Sequence, residues 1–179
     1  PNFLRFVKGV VDCEDIPLNI SRENYQDSAL MHKLKVFLTK RILKFMRDEA
    51  DKNPDAYKKW YNEFSVFIKE GSLDPEFKKD VIDLNRYEIN TEEGFSSLKE
   101  YVKLKTKTQD RIFFMFSPNK VLAKDSPYMY PLTKAGIPVI IANTHIDEII
   151  FREIDTFEGL KFANIETDHE DVERALKGV

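Results

Sequence analysis

Residues 17–26 (PLNISRENYQ) carry the side chains whose types and spacing best suit phosphate chemistry. Asn19 lies in a stretch expected to be an extended loop. Arg22 stands where that loop turns into a helix, and Gln26 follows one helical turn later on the same face. An arginine guanidinium presents a planar fork of donors and keeps its charge, which suits the negative oxygens of a transferring phosphoryl group. The alternative is a surface ion pair between Arg22 and a carboxylate such as Glu23. The residues alone favour that alternative, because most surface arginines do no chemistry.

The remaining motifs do not complete an active site. The six glycines are too far apart for a dinucleotide fingerprint or a phosphate-cradling loop, and the sequence has no HExxH, paired-cysteine or nucleophile-elbow motif. His145 near Asp147 and Glu148 could indicate a metal site. A strand-end histidine beside a helix start explains the same residues better, because too few ligands are in view. We therefore expect neither a metal site nor a complete active site on this chain.

The composition is typical of a globular chain and excludes several classes of function. Of its 179 residues, 42% are hydrophobic and 33% are charged. The net charge of −3 gives no reason to expect a nucleic acid or an anionic membrane surface as partner. The one cysteine, Cys13, rules out an internal disulfide and a cysteine-based zinc site. The opening apolar run Phe3–Val7 has nothing before it to pair with, so we expect the chain to be a piece of a longer protein.

Hydrophobic periodicity predicts a strand and four helices in the first part of the chain. Residues 3–11 are apolar and β-branched enough for a strand. A long helix follows and ends near residue 48, with its apolar stripe formed by Leu30, Leu34, Phe37, Leu38, Ile42 and Phe45. Asn53-Pro54 and Asp74-Pro75 are start signals for the next two helices, and Ser97 caps a fourth. The polar stretch Asn90 to Gly94 is predicted to be an internal linker.

The pattern changes after Arg111 to one typical of an α/β unit. Apolar runs predict buried strands at residues 112–116 and 138–142. Residues 160–165 are predicted to form a third strand, with helical stretches between the strands. Such alternation with short loops predicts a small parallel sheet with right-handed crossovers. Ser126-Pro127 is similar to a helix start, but Pro131 is expected to remove the first regular backbone hydrogen bond of that helix. We expect the charged tail 168–179 to fray or to lead into another domain.

The run from Phe6 to Glu23 (FVKGVVDCEDIPLNISRE) closely resembles the signature of the middle domain of the ninety-kilodalton heat-shock protein chaperones. Cys13 departs from that signature, because the family usually has serine there. The similarity extends over almost the whole chain and includes LNRY at residues 84–87 and the stretch Ile146–Glu148. Within the family, the chain resembles the mitochondrial branch most at Ile16-Pro17, Ser28-Ala29-Leu30 and Asn85–Glu88.

This resemblance implies a mechanism that is shared between domains. In such chaperones a separate N-terminal ATPase domain binds ATP and magnesium, and an arginine of the middle domain reaches the γ-phosphate when the two domains dock. Carried over by motif, that arginine is Arg22. Gln26 matches the accompanying glutamine, and Asn19 lies on the γ-phosphate side of the same loop. The resemblance thus implies ATPase activity in the full-length chaperone, and an isolated fragment that is inactive and carries no cofactor or metal.

The resemblance also implies a domain organisation and a set of partners. Residues 1–26 end a larger α/β segment, 27–106 form a helical connector, 107–167 form a small α/β/α unit, and 168–179 lead towards a C-terminal dimerisation domain. The implied partners are the N-terminal and C-terminal domains of the same chain, client proteins, and a second copy in a full-length homodimer, with no nucleic acid and no membrane insertion. The implied location is the mitochondrial matrix, with the cytoplasm as the alternative.

Two other interpretations fit the residues. The first is a stand-alone α/β protein-interaction module with no ATP coupling. The second is a small-molecule enzyme built on the βαβαβ unit. It is disfavoured because the first strand–helix turn, residues 117–119, has no glycine for close phosphate approach. Trp60 and Tyr61 could belong to a client-binding surface, but their helical spacing with Tyr57 and Phe64 predicts core positions.

Overall fold

The computed structural model describes residues 1–12 and 28–177. These residues form eight α-helices, two short 3-10 helices and six strands. The α-helices are α1 (Ser28–Lys52), α2 (Pro54–Gly71), α3 (Lys78–Val81), α4 (Leu98–Leu104), α5 (Lys120–Lys124), α6 (Met129–Lys134), α7 (His145–Ile154) and α8 (His169–Lys177). The strands are β1 (Tyr87–Ile89), β2 (Phe95–Ser96), β3 (Arg111–Phe116), β4 (Ile140–Ala142), β5 (Thr156–Phe157) and β6 (Leu160–Asn164). The 3-10 helices are Asn2–Leu4 and Ile82–Leu84.

The strands form one mixed sheet in the order β2-β1-β4-β3-β6-β5. At its centre β3 pairs in parallel with β4 and with β6, as the sequence predicts; Phe114 lies opposite Ile140, and Ile112 opposite Phe162. The outer pairs β1–β2, β1–β4 and β5–β6 are antiparallel. The α/β fold class is confirmed, and the sheet is wider than the three predicted strands.

Helices cover both faces of the sheet. One face packs Phe113, Met115 and Ile141 against α5, α6 and α8. The opposite face packs Ile112 and Phe114 against α4 and α7. Because the four central residues of β3 are buried, this strand reads as a continuous apolar run rather than an alternating one.

A separate core holds the helical part together. Leu43, Met46 and Ala50 of α1 pack with Tyr57 and Tyr61 of α2. Phe77, which precedes α3, and Val81, which lies in α3, complete this core together with the N-terminal 3-10 helix. Pro54 is the first residue of α2, as predicted. The Asp74-Pro75 signal is wrong as a helix start, because α3 begins at Lys78; the Asp74 carboxylate accepts from the backbone N–H groups of Glu76 and Phe77 in the turn before it.

The buried face of α1 differs from the predicted apolar stripe. Phe37 and Phe45 belong to the predicted stripe but are 60% and 64% exposed. The buried positions are Thr39, Leu43, Met46 and Ala50. The helix carries apolar residues on two faces, and packing against α2 and α3 covers only one of them.

The N-terminal strand prediction is wrong. Residues Asn2–Leu4 form a 3-10 helix, and no strand is described over residues 5–12. Phe3 and Leu4 are buried in the helical core, whereas Val10 is 98% exposed. The apolar residues here pack against a helix, and no described strand forms backbone hydrogen bonds with this segment.

Three smaller predictions are also corrected. Asn90 to Gly94 is the turn of the β1–β2 hairpin rather than a linker, and the buried Asn90 amide bonds to Thr133 Oγ1 and to the backbone of Ile137 and Val139. The helix predicted to start at Pro127 begins instead at Met129, so Pro131 lies in the first turn of α6, where its missing N–H has no intrahelical acceptor. The tail forms α8, whose Ala175 is buried against the sheet.

Candidate functional site

The predicted catalytic residues Asn19, Arg22 and Gln26 lie outside the described residues, as does Cys13. The structure does describe the two segments that flank them. One segment ends at Asp12 and the other begins with α1 at Ser28. The described part of the candidate site therefore consists of these two flanking segments and the residues that contact them.

The N-terminal flanking segment is fixed on the end of α2. The Phe3 ring lies so close to Gly71 that a Cβ at position 71 would stand 2.6 Å from Phe3 Cδ2. The Arg5 guanidinium donates to both carboxylate oxygens of Glu70, at 2.5 and 3.0 Å, and lies 4.4 Å from the centroid of the Phe67 ring. The hydrogen bond from Arg5 holds the pKa of the Glu70 carboxyl below its usual value.

Aromatic contacts continue this attachment along α2. The Phe6 ring centroid lies 5.6 Å from Trp60, 5.3 Å from Phe64 and 5.2 Å from Phe67. Trp60 and Phe64 stack with an interplanar angle of 8°. Offset and tilted ring pairs at these distances are favourable beyond the area they bury.

The C-terminal flanking segment, α1, also packs on α2. Leu43 is completely buried against this helix pair, and Ala50 is 5% exposed. Arg47 donates to the carbonyl of Asp80 at 2.8 Å, and Lys35 pairs with Glu76 at 3.1 Å. On each side of residues 13–27 a described segment thus packs on α2: residues 3–6 on one side and residues 43–50 of α1 on the other.

An open apolar groove lies between α1, α2 and the N-terminal segment. Its volume is about 420 Å³, and it is lined by Phe6, Val7, Ile42, Phe45, Met46, Glu49, Asn53, Ala56, Tyr57 and Trp60. Phe45 and Val7 are 64% and 39% exposed. The prediction that Tyr61 is a core residue is confirmed, whereas Trp60 is half-buried and forms part of the groove wall. The groove was not predicted, because no periodicity shows which of two apolar helix faces stays uncovered.

A second, smaller opening lies at the carboxyl ends of β3 and β4. Adjacent strands there lead to helices on opposite faces of the sheet, which is where α/β sheets often bind ligands. Thr144 and Asp147 form a capping box that satisfies the first N–H groups of α7. His145 reaches Glu148 at 3.5 Å, and no cluster of metal-binding side chains is present within residues 1–12 and 28–177. The polar residues that line this opening are Ser117, Asn143, Thr144, His145 and Glu148.

A charged pocket of about 520 Å³ lies between α1, α2, α4 and the β1–β2 hairpin. Lys99 pairs with Asp83 at 3.0 Å, and Lys58 lies 5.1 Å from the centroid of the Phe95 ring. Arg86 lies 4.7 Å from the Tyr57 ring and donates to two backbone carbonyls. Basic and acidic groups alternate around this pocket, so it presents no field of one sign to a polyanion.

One buried polar cluster joins α2 to α7. Lys69 Nζ lies 2.9 Å from Asp147 Oδ2 and 2.8 Å from Thr144 Oγ1. The Thr144 hydroxyl donates to Asp147 Oδ2 at 2.6 Å. The sequence places Asp147 beside His145 and Glu148 at a helix start and does not predict its pairing with Lys69. The one local sign of a buried charge is the position of Lys69 in α2, directly after Ile68 of the buried stripe.

No helix in the described part of the chain is both long and apolar enough to cross a membrane.

A profile of the Hsp90 protein matches residues 1–177, and the chain belongs to the Hsp90 protein family. Chaperone protein HtpG of Desulfitobacterium hafniense is 38% identical to it over 98% of this chain and 29% of that protein. Chaperone protein HtpG of Wigglesworthia glossinidia brevipalpis is 37% identical over 92% of this chain and 26% of that protein. The mitochondrial 75 kDa heat shock protein of Bos taurus is 35% identical over 94% of this chain and 25% of that protein. The chain thus spans under a third of the length of these relatives.

These matches correct two parts of the sequence-based assignment. The family match over residues 1–177 is to the Hsp90 protein and singles out no middle domain, so the chain is assigned to the family and the prediction of a middle-domain fragment is withdrawn. Bacterial relatives at 38% and 37% identity are as similar as the bovine mitochondrial relative at 35%, so the particular likeness to the mitochondrial branch is corrected too.

Proposed function

We propose that this chain is part of an ATP-dependent molecular chaperone of the Hsp90 family and that its loop at residues 17–26 takes part in ATP hydrolysis. Arg22 contacts the γ-phosphate, and Gln26 and Asn19 assist it from the same loop. The observation that carries the proposal is the Hsp90 family match over residues 1–177, which includes residues 17–26.

The chemistry asked of Arg22 is electrostatic. A guanidinium spreads its positive charge over a planar fork of donors, which matches the oxygens of a phosphoryl group in its transition state. The sequence has no glycine-rich phosphate loop, so we place ATP and magnesium on another part of the full-length protein. Hydrolysis then depends on the approach of that part to the Arg22 loop, and the isolated chain is inactive.

The chaperone part of the proposal concerns non-native polypeptides. The open groove between α1 and α2 leaves Phe45 and Val7 uncovered, and exposed apolar surface of this kind marks interaction sites. We propose client proteins as partners of the full-length protein, which acts as a homodimer. Mitochondrial relatives support the mitochondrial matrix as its location, and bacterial relatives support the cytoplasm.

The groove also suits the second candidate function, a protein-interaction module with no ATP coupling. The two candidates differ in what the Arg22 side chain does. In the ATP-dependent chaperone Arg22 acts on nucleotide turnover, whereas in the interaction module it has no effect on turnover.

Steady-state ATP turnover of the full-length protein separates these candidates. Arg22→Ala should lower kcat by about 100-fold or more, because the charged donor is needed only as negative charge develops. Arg41→Ala is the matched control, since Arg41 is an exposed arginine on α1 outside the groove and is expected to leave turnover unchanged. Equal turnover in the Arg22→Ala and Arg41→Ala variants would reject the ATPase role.

A further inference from the structure

We infer that Lys69, Thr144 and Asp147 form a polar lock that holds the helical core and the sheet in one relative orientation. The lock is a conformational device, because its buried and directed contacts fix how α2 lies against α7. This role goes beyond the proposed function, since it concerns the position of two parts of the chain and requires neither a nucleotide nor a client.

The apolar cores on the two sides of the contact between α2 and α7 are separate. The helical core contains Tyr61 and Ile68 of α2, whereas the core between the sheet and α7 contains Ile150 and Phe151. No buried residue within 1–12 and 28–177 belongs to both cores. Because apolar attraction has no direction, the packing of two such cores leaves small sliding movements open.

Lys69 crosses this contact from the α2 side. Its side chain is 6% exposed and directly follows the fully buried Ile68. Its Nζ donates to Asp147 Oδ2 at 2.9 Å and to Thr144 Oγ1 at 2.8 Å. Such hydrogen bonds are lost beyond about 3.5 Å, so a displacement of α2 along α7 by about 1 Å strains both bonds of the confined side chain.

The groups that accept from Lys69 are fixed to the start of α7. The Asp147 carboxylate also accepts from the backbone N–H of Thr144 at 3.2 Å and from its hydroxyl at 2.6 Å. These bonds belong to the capping box of α7 and hold Oδ2 in one place relative to the helix backbone. Lys69 therefore meets an acceptor whose position is set by the sheet side of the contact.

The burial of the Asp147 charge makes this contact costly to break. The carboxylate is completely buried, and its second oxygen, Oδ1, has no hydrogen-bond partner in the described part of the chain. Compensation for burying the charge therefore falls on the groups at Oδ2, where Lys69 supplies the cation. A movement that separates Nζ from Oδ2 leaves a buried charge without its counter-ion, which is strongly unfavourable.

A second lysine near α7 provides a matched control. Lys78 of α3 donates to the carbonyl of Glu153 at the other end of α7, but this contact is exposed and longer, at 3.4 Å. It compensates no buried charge, so its loss should cost little. The lock is therefore assigned to Lys69 and not to lysine contacts with α7 in general.

Two variants separate a lock from a contact that contributes stability alone. Lys69→Met leaves the Asp147 charge buried, whereas the double variant Lys69→Met/Asp147→Asn removes both charges and keeps a side-chain oxygen for the helix cap. We expect the urea midpoint of the double variant to lie between those of Lys69→Met and the wild type. The orientation is then measured in the double variant, because it contains no unpaired charge from this pair.

The distance between two spin labels reports the orientation. The full-length protein is used with its other cysteines replaced, Cys13 by serine, and with nitroxides at Glu63→Cys on α2 and Val121→Cys on α5. Both positions are exposed, and α5 packs on the face of the sheet opposite α7. Labelled protein is diluted with unlabelled protein, so that each distance lies within one chain.

We expect the distance distribution to widen by about 2 Å or more in the double variant, which is the size of helix shifts at packed contacts. Lys78→Met should keep the wild-type width, because its contact carries no buried charge. Far-ultraviolet circular dichroism confirms that each variant is folded.

Three results would overturn the inference. A wild-type distance distribution in the folded double variant would show that the ion pair does not fix the orientation. Equal widening in Lys78→Met would show that the effect is not specific to Lys69. A double variant that is no more stable than Lys69→Met, or that does not fold, would show that the pair acts through stability alone. None of these results bears on ATP turnover, so a failure here is distinguishable from a failure of the Arg22 proposal.

Discussion

Lys69 and Asp147 form an ion pair in the interior of the protein, with Nζ and Oδ2 separated by 2.9 Å and with 6% and 0% of the two side chains exposed. The pair joins α2 of the helical core to α7 on the sheet. Burying two charges costs free energy that their attraction and hydrogen bonds must offset. The Thr144 hydroxyl contributes to that compensation by contacting both members.

Removing one member of this pair should strongly destabilise the fold. Lys69→Met leaves the Asp147 carboxylate buried without its cation, and we expect the free energy of unfolding to fall by about 3–5 kcal/mol. Chemical denaturation measures the loss. Lys44→Met is the matched control, because Lys44 pairs with Asp48 on the surface and its loss should matter far less. Similar losses of unfolding free energy in Lys69→Met and Lys44→Met would show that the buried pair stabilises the fold no more than the surface pair does.

Gly71 should tolerate no side chain while Phe3 is in place. The ring of Phe3 occupies the position of the Cβ, so Gly71→Ala must displace a buried aromatic residue. We expect a loss of about 1–3 kcal/mol by denaturant unfolding, typical of overpacking. In a Phe3→Ala background the added methyl group has room, and the same substitution should cost much less. Additive effects of the two substitutions would contradict the proposed contact.

The buried tyrosines should make the protein sensitive to alkaline pH. Burial raises the pKa of the hydroxyls of Tyr57, Tyr61, Tyr87 and Tyr101 above the usual value near 10. A raised folded-state pKa means that the folded protein holds these protons more tightly, so the stabilisation is complete below pH 10 and falls as the pH rises. The expected slope is about 1.4 kcal/mol per tyrosine and pH unit above about pH 10.

Tyr87→Phe isolates one part of this effect. The Tyr87 hydroxyl is buried and finds no hydrogen-bond partner among the described residues, so its removal should be neutral or stabilising at pH 7. Tyr87→Phe should also make the fall of unfolding free energy above pH 10 less steep, by the contribution of one tyrosine to the slope. The control is Tyr130→Phe, at a position that is 66% exposed, which should leave the slope unchanged. An unaltered slope in Tyr87→Phe would refute the assignment.

The elements that the sequence predicts correctly are those whose signals are local. The sequence places several elements correctly: the buried run of β3, the strand β6, the Asn53-Pro54 start of α2 and the Ser97 cap of α4. The strands β2 and β5 have two residues each, which is too short for any periodicity, and their pairing depends on the strands beside them.

The errors share a tertiary cause. The apolar residues near Phe3 have the pattern of a strand, but in the structure Phe3 packs closely against Gly71 of α2. The two apolar faces of α1 are equivalent in sequence, and only the positions of α2 and α3 decide that Leu43 is buried and Phe45 is not. The Lys69–Asp147 pair joins residues 78 positions apart, which no local pattern reveals.

The candidate site divides in the same way. Arg22, Gln26 and Asn19 are predicted from a contiguous motif, and their catalytic role stays a prediction because they lie outside the described residues. The groove draws Phe6, Phe45 and Trp60 from three separate segments and can be found only in three dimensions.

The central claim is that Arg22 stabilises the transition state of ATP hydrolysis. A single-turnover measurement with ATP already bound to the full-length protein tests it most directly, because the rate then reports the chemical step apart from nucleotide binding. Our account predicts that Arg22→Ala slows this step by about 100-fold or more while the Kd for ATP stays unchanged. An unchanged single-turnover rate in Arg22→Ala, with Arg41→Ala as the reference, would contradict the claim.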